Sequence, residues 1–347
     1  ALPILKLMSQ GKHAKKNDSN SQGNTPKKKS KVKIIVLTLF FLLLIGIGLG
    51  ATYVYSTLNK MDIKKIAQDD KSLGIDESNK DLFQDGILNI ALFGVDSREH
   101  DNVGRSDSII IATIDTKHDK IKLTSLMRDS YVEVDGHGKT KLTHAYAYGG
   151  PTLALKTINE NFGLDIKDYV TVNFDNLAEI IDDLGGVPIN IKPYEVKEVN
   201  NYAKNVAEIA GREYTPVSEG EQVLNGAQAV GYSRIRYVGD GDYERTERQR
   251  NVLDAIIKKL SALKPSEYPE TIKKLLPYVE TNLTPSKILS IATSVASTGI
   301  PPVENMRFPL DGYCKGEMID GVWYLTFDEA KTKEQIQDYI YKDVNPK

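Results

Sequence analysis

Between Asp96 and Gln249 the sequence scatters cations and carboxylates through six short polar stretches. They are GVDSRE (Asp96, Arg98), GRSD (Arg105, Asp107), LMRDSY (Arg128, Asp129), KLTHAYAYGG (Lys141, His144), YSRIRY (Arg234, Arg236) and DYERTERQR (Asp242, Arg245, Arg248, Gln249). Each stretch lies beside an expected strand end or helix start. Several fixed cations with a few carboxylates suit a multiply charged anion held with a divalent metal, and a pyrophosphate is the natural candidate. Two carboxylates completed by substrate phosphate and water are the usual way of holding Mg²⁺. No His/Cys set has zinc spacing. Walker A, Rossmann and G-x-S-x-G patterns are also missing from the sequence.

Each stretch has a plainer reading beside the functional one. Asp96 ends an apolar strand and Asp107 opens the next, so neighbouring strands would bring both to one sheet edge; they could equally cap turns or pair with Arg98 and Arg105. Arg234 and Arg236 sit at i and i+2 of an expected strand, which puts them on one face; an exposed edge strand would also carry them. Arg245, Gln249, Val252, Ile256 and Leu260 form one helical stripe, polar at its start and apolar afterwards. A helix N-terminus favours phosphate, while a solvated helix end is the alternative. Arg248 either binds the anion or pairs with an acid such as Asp242. His144 is expected to be a structural hydrogen-bonder.

The elements that must position these residues alternate. Apolar runs at Ile87–Val95, Ser108–Ile114 and Ile121–Met127 read as buried strands. Pro151–Phe162 reads as a helix with Gly163 as its stop, and Lys141 and His144 straddle the loop before it. Further strands are expected at Tyr169–Asn173, Val187–Ile191 and Tyr232–Tyr237. Helices are expected at Asp175–Leu184 with Asp175 as N-cap, at Val223–Val230, at Glu244–Leu260 and near residues 271–279, 285–297 and 327–341. Tyr313–Leu325 reads as a hairpin turning at Asp320-Gly321. Strands interleaved with helices predict an α/β layered domain.

The 347 residues carry a formal net charge of −2. That sum hides a Lys-rich stretch at residues 1–33, where Asp18 is the only acid, and an acidic remainder. An acidic bulk argues against nucleic acid as a partner, because a basic footprint supplies most of that affinity. Ile34–Tyr55 carries no charge and is long enough to span a bilayer. With lysines on its N-terminal side it predicts a single-pass anchor, N-terminus cytoplasmic and the remainder outside. The expected layout is a basic disordered tail (1–33), a transmembrane helix (34–55), an extracytoplasmic stalk (56–85) and a catalytic domain (86–347). Cys314 is the single cysteine, so no intramolecular disulfide forms and the core must carry the stability.

Taken in order, GVDSR, GRSD, MRDS, K-x-x-HAYAYGG, LGGV, L-x-G-x-x-A, Y-x-R-x-R and R-x-x-RQ resemble the LytR-CpsA-Psr family of cell-wall enzymes, from about Leu88 to Leu260 and more weakly beyond. The resemblance implies a central mixed sheet between helices with an apolar tunnel for a prenyl tail. It implies transfer of a glycopolymer (teichoic acid, capsule or similar) from a polyprenyl pyrophosphate carrier to the C6 hydroxyl of N-acetylmuramic acid in peptidoglycan, with Mg²⁺ (or Mn²⁺) as cofactor. By motif position Asp96 and Asp107 would hold the metal. Arg128, Lys141, Arg234, Arg236, Arg245 and Gln249 would bind the pyrophosphate, with Arg98 and Arg105 close by. Met127 replaces a frequent proline and Thr143 a frequent asparagine; neither change removes a charge. The alternatives are a polyprenyl-pyrophosphate hydrolase and a membrane-anchored regulatory or binding protein.

Overall fold

The computed structural model describes residues 63–83, 85–96, 104–264, 266–288, 290–291 and 302–346. Its centre is a six-stranded mixed sheet. Strands β1 (Ile87–Asp96), β2 (Arg105–Asp115) and β3 (Lys120–Leu126) form an antiparallel meander. On one side, β6 (Asp168–Asn173) runs parallel to β1 and the short β9 (Glu280–Thr281) pairs with β6. On the other side, β10 (Val303–Phe308) runs parallel to β3. Three hairpins surround the sheet: β4 (Tyr131–Val134) with β5 (Gly138–Lys141), β7 (Val187–Ile191) with β8 (Gly220–Leu224), and β11 (Cys314–Ile319) with β12 (Val322–Phe327).

The sheet buries both faces because its central strands carry continuous apolar runs, residues 90–93 on β1 and 109–112 on β2. Ala91, Phe93, Val95, Ile109 and Ile111 point to one side. There they meet α1 (Leu142–Phe162) and the C-terminal helix α7 (Glu329–Tyr341). Ile110 and Leu123 point to the other side, against Leu253 and Ile257 of α5 (Asp242–Ser261). A second core joins α5 to α3 (Val196–Ile209), α4 (Gly226–Ser233) and the β7–β8 hairpin. There α4 meets α3 at Gly231, where a Cβ would stand 2.6 Å from the Ala203 backbone nitrogen. Helices α2 (Phe174–Asp183) and α6 (Tyr268–Leu275) complete the layer.

Several sequence expectations need correction. Lys141 and His144 do not flank a loop: helix starts at Leu142 and runs to Phe162, kinked at Gly149 and Gly150 before Pro151. The N-cap of α2 is Asn173, whose side chain accepts from the Asn176 N–H at 2.7 Å, rather than Asp175. Val223 and Leu224 belong to β8, and the helix begins only at Gly226. The strand expected over Tyr232–Tyr237 is the end of α4 followed by a turn. Tyr232 and Ile235 are both buried, three apart, which is helical spacing.

The stalk expected over 56–85 is part of the folded domain from residue 63 onwards. Leu73 and Ile75 belong to the main core, Asn159 Nδ2 donates to Leu73 O at 2.8 Å, and Lys167 Nζ reaches Asp70 Oδ1 at 2.6 Å. Ile66 and Phe83 pack against the same core, so a segment polar in composition is held by a few apolar anchors and a buried asparagine. The expected anchor, Ile34–Tyr55, lies outside the described residues; among those described, no helix is long and apolar enough to cross a membrane.

Candidate active site

The β1–β2 pairing slips by one residue between Gly94 and Val95: Gly94 faces Ser108 and Val95 faces Ser106, so Asp107 is the extra residue of a β-bulge. A bulge re-aims the side chain it carries. Asp107 and Asp96, at the end of β1, line one cleft of about 440 Å³ with Arg105, Arg128, Asp129, Lys141, Thr143, His144 and Arg236. A narrower pocket of about 120 Å³ shares Asp96, Asp107, Arg128 and Arg236 with that cleft and adds Phe174, Tyr202, Ser233, Arg234, Arg245 and Gln249. Beyond it, an apolar cavity of about 170 Å³ shares Phe174, Ser233 and Gln249 with the neck. Leu92, Ile110 and Val170 of the sheet, Leu177 of α2, and Val252, Leu253 and Ile256 of α5 line this cavity. The three spaces therefore form a series: charged cleft, mixed neck, apolar cavity.

The cations and acids of the cleft interlock. Arg128 Nη1 lies 2.5 Å from Asp107 Oδ1, while its Nε is 3.5 Å from Asp129 and 3.4 Å from Asp242. Asp242 also takes Arg245 Nη2 at 2.9 Å, and Asp129 takes Lys141 Nζ at 2.8 Å. The Nε atoms of Arg128 and Arg245 are buried without a hydrogen-bond partner. Burial opposes the Arg128 charge, but Asp107, Asp242 and Asp129 together outweigh it and raise its pKa. For Arg245 burial is the larger effect and, with Arg128 adding to it, lowers the pKa; Asp242 offsets this only in part. Arg105, Arg234 and Arg236 make no ion pair with a carboxylate among the described residues. Arg234 instead stacks over Phe174 and Tyr202 at 5.1 and 5.7 Å, and Arg236 donates to the Tyr237 hydroxyl at 2.6 Å. Six cations against Asp96, Asp107, Asp129 and Asp242 leave the cluster net positive. The cations without an acid partner, Arg105, Arg234 and Arg236, are exposed or half-buried, so the excess faces the cleft and neck, where an anion can complete it.

Asp96, Arg105, Asp107, Arg128, Lys141, Arg234, Arg236, Arg245 and Gln249 thus come together, each lining the cleft or the neck. Arg98 lies outside the described residues. Arg234 and Arg236 arrive from the turn after α4, so the shared strand face expected for them does not exist. Arg248 is not in the site. Its side chain is 2% exposed, and it donates Nε to Glu195 Oε1 at 2.7 Å and Nη1 to Ile235 O at 3.2 Å while pairing with Glu244. It braces the turn that carries Arg234 and Arg236. Asp242 and Glu244 occupy the first turn of α5, so the helix end already has its negative charge.

Phe174, Tyr202 and Ser233 were not legible as site residues. Tyr202 sits on a helix the sequence pattern did not announce, and Phe174 reads as an ordinary first-turn residue. His144 accepts from or donates to Thr140 Oγ1 at 2.8 Å and lines the cleft as well. Burial, then Arg105 and Lys141, lower its pKa against the opposing pull of Asp129.

Asp96 and Asp107 supply hard oxygens facing one cleft, and Asp96 makes no ion pair among the described residues. With phosphate and water this donor set fits a hard divalent cation. Among the described residues another acidic group has metal-like spacing, Asp115, His118 and Asp343, at the opposite end of β2. There Lys122 Nζ already stands 3.2 Å from Asp115 and 3.0 Å from Asp343, so the buried ammonium supplies the countercharge.

Fold and site together define an α/β protein with a charge-lined cleft opening onto an apolar cavity. The LytR_cpsA_psr family profile matches residues 50–340, and the chain belongs to that family. Polyisoprenyl-teichoic acid–peptidoglycan teichoic acid transferase TagU of Bacillus cereus is 30% identical over 287 residues, covering 81% of this chain and 87% of that protein. Regulatory protein MsrR of Staphylococcus aureus is 30% identical over 285 residues, covering 81% of each. A structure of the Bacillus subtilis protein YwtF (TagT) with bound octaprenyl pyrophosphate lipid superposes with a TM-score of 0.55 at 26% identity, covering 82% of this chain and 96% of that one. This chain is an enzyme of the transferase class.

Proposed function

We propose that this protein transfers a glycopolymer of the teichoic acid or capsule type from a polyprenyl pyrophosphate carrier to peptidoglycan, with the C6 hydroxyl of N-acetylmuramic acid as acceptor. The observation that carries this reading is the series of connected spaces. An apolar cavity takes the prenyl tail, and the neck and cleft, with their excess of cations, take the diphosphate. The relatives' transferase activity and the octaprenyl pyrophosphate held by TagT support the same assignment. The reading places the protein at a membrane surface, where its lipid carrier resides.

In this reading Arg128, Lys141, Arg234, Arg236, Arg245 and Gln249 grip the diphosphate. Arg128 and Arg245 are held by Asp107, Asp129 and Asp242 before substrate arrives, so little reorganisation is needed as charge grows on the bridging oxygen. Asp96 and Asp107 would hold Mg²⁺ (or Mn²⁺), which when bound neutralises phosphate charge and orients its oxygens. Arg105 lies beside them on the cleft wall. Asp96 is exposed and makes no ion pair among the described residues, so a carboxylate oxygen it does not give to the metal would be placed to accept the proton of the attacking hydroxyl. The acceptor oxygen then bonds to the phosphorus nearest the glycan, and polyprenyl phosphate leaves.

Supplying lipid-linked polymer with and without peptidoglycan tests the assignment. A transferase forms polymer–peptidoglycan only with the acceptor present and releases little free polymer without it. Polymer release at equal rates in both conditions would make the protein a hydrolase instead. Transfer undiminished in Asp107→Ala and Arg236→Ala would overturn the site.

A further inference from the structure

We propose that the exposed aromatic wall beyond Lys141, centred on Trp323, docks the acceptor glycan strand. The inference rests on the transferase reading, since only a two-substrate enzyme needs a second docking surface beside its anion cleft. The apolar cavity and the neck occupy the inner end of the site. The open end, at Lys141 and His144, is where the second substrate can approach among the described elements.

That end continues into aromatic surface. Lys141 Nζ lies 5.8 Å from the rings of both Trp323 and Tyr324. The wall is tied to the catalytic turn by backbone, because Leu325 N donates to Asp129 O at 2.9 Å and Ser130 bridges Leu325. On β11, a Cβ at Gly316 would stand 2.8 Å from Trp323 Nε1, so the glycine lets the indole lie flat across the strand. The indole is nevertheless 42% exposed. Around His144 the rim carries Tyr148, 48% exposed and stacked on His137 at 4.1 Å. A large aromatic is usually placed where part of its area is removed from water. Rigid flat rings with negative faces match the C–H faces of pyranose sugars.

Charge decides between the two polymers. Lysines at this surface are neutralised locally, Lys139 by Glu329 at 2.6 Å and Lys315 by Glu317 at 2.7 Å. Unlike the cleft, the wall itself therefore carries no excess of cations to grip a polyanionic teichoic polymer, and it suits the uncharged N-acetylated sugars of a peptidoglycan strand.

Trp323 is the one tryptophan in the chain, so emission excited selectively at tryptophan, beyond tyrosine absorption, reports on this surface. Soluble uncrosslinked peptidoglycan strands, titrated into the full-length protein, produce a saturable change in its emission, and poly(glycerol phosphate) does not. Trp323→Ala raises KM for the acceptor about tenfold, as loss of one stacking contact should, with kcat and prenyl diphosphate binding close to wild type; Trp323→Phe keeps most of the acceptor affinity. Transfer with unchanged fluorescence and a normal Trp323→Ala variant would overturn the docking surface while leaving the transferase reading standing. A response to poly(glycerol phosphate) alone would also overturn it. A glycan-responsive tryptophan in a protein that transfers nothing would uphold the surface and sink the transferase reading.

Discussion

Arg128 Nη1 stands 2.5 Å from Asp107 Oδ1, joining the end of β3 to the bulge of β2, and the same guanidinium lies 3.4 Å from Asp242 on α5. Three elements distant in sequence thus meet on one planar cation. Lysine cannot hold these partners together, because it presents a point charge in place of a fork. Arg128→Lys is therefore expected to lower kcat by about 10²–10³-fold, the usual cost of losing one preorganised charge contact. Single-turnover transfer with lipid-linked polymer measures it, and a loss below about threefold would remove Arg128 from the centre of the chemistry.

Arg248 illustrates the opposite role. Arg248→Met leaves Glu195 buried without its partner, so stability should fall by about 3–5 kcal/mol. Adding Glu195→Gln removes the orphaned charge and should restore part of that loss. Urea unfolding of the two variants gives the numbers directly.

His144 sets a pH expectation. Its folded pKa lies below the ordinary value of 6.5, from burial and from Arg105 and Lys141. In the window between the folded and unfolded values the unfolded chain binds more protons, so stability rises with pH there. The contribution is fully present above about 6.5 and is lost as pH falls through the lowered folded value. Urea midpoints across pH 4.5 to 7.5 should show a shallower dependence in His144→Asn. An unchanged slope would mean that His144 does not titrate in this way.

The apolar cavity can be filled without touching a charge. Leu253 is half-buried, lines the cavity and sits on α5. Leu253→Trp should weaken binding of a long prenyl diphosphate at least tenfold while leaving inorganic pyrophosphate binding unchanged. Equal losses for both ligands, by calorimetry, would show that the cavity does not hold the tail.

Much of the scaffold was visible in the chain because local signals agreed there. The apolar runs of β1 to β3, the Gly163 stop with φ of 66°, the Asp320-Gly321 turn with φ of 50° and 78°, and the polar-to-apolar stripe of α5 all reappear in the structure. What could not be read depended on partners. The bulge at Asp107 exists only relative to β1, and the contact of Arg128 with Asp242 joins residues more than a hundred positions apart. Arg234 and Arg236 mimic strand alternation, yet Gly231 packing on Ala203 and burial of Tyr232 and Ile235 hold that segment as a helix end. Arg248 resembled its neighbours Arg245 and Gln249 in type and spacing; only the buried Glu195 separates their roles.

Soaking a short-chain prenyl diphosphate into crystals of the folded domain tests the central claim most directly. The account places the diphosphate among Arg128, Arg236 and Arg245, with the tail passing Phe174 and Gln249 into the cavity lined by Leu92, Val170 and Ile256. Lipid density on another surface, with the cavity closed around its own side chains, would contradict it.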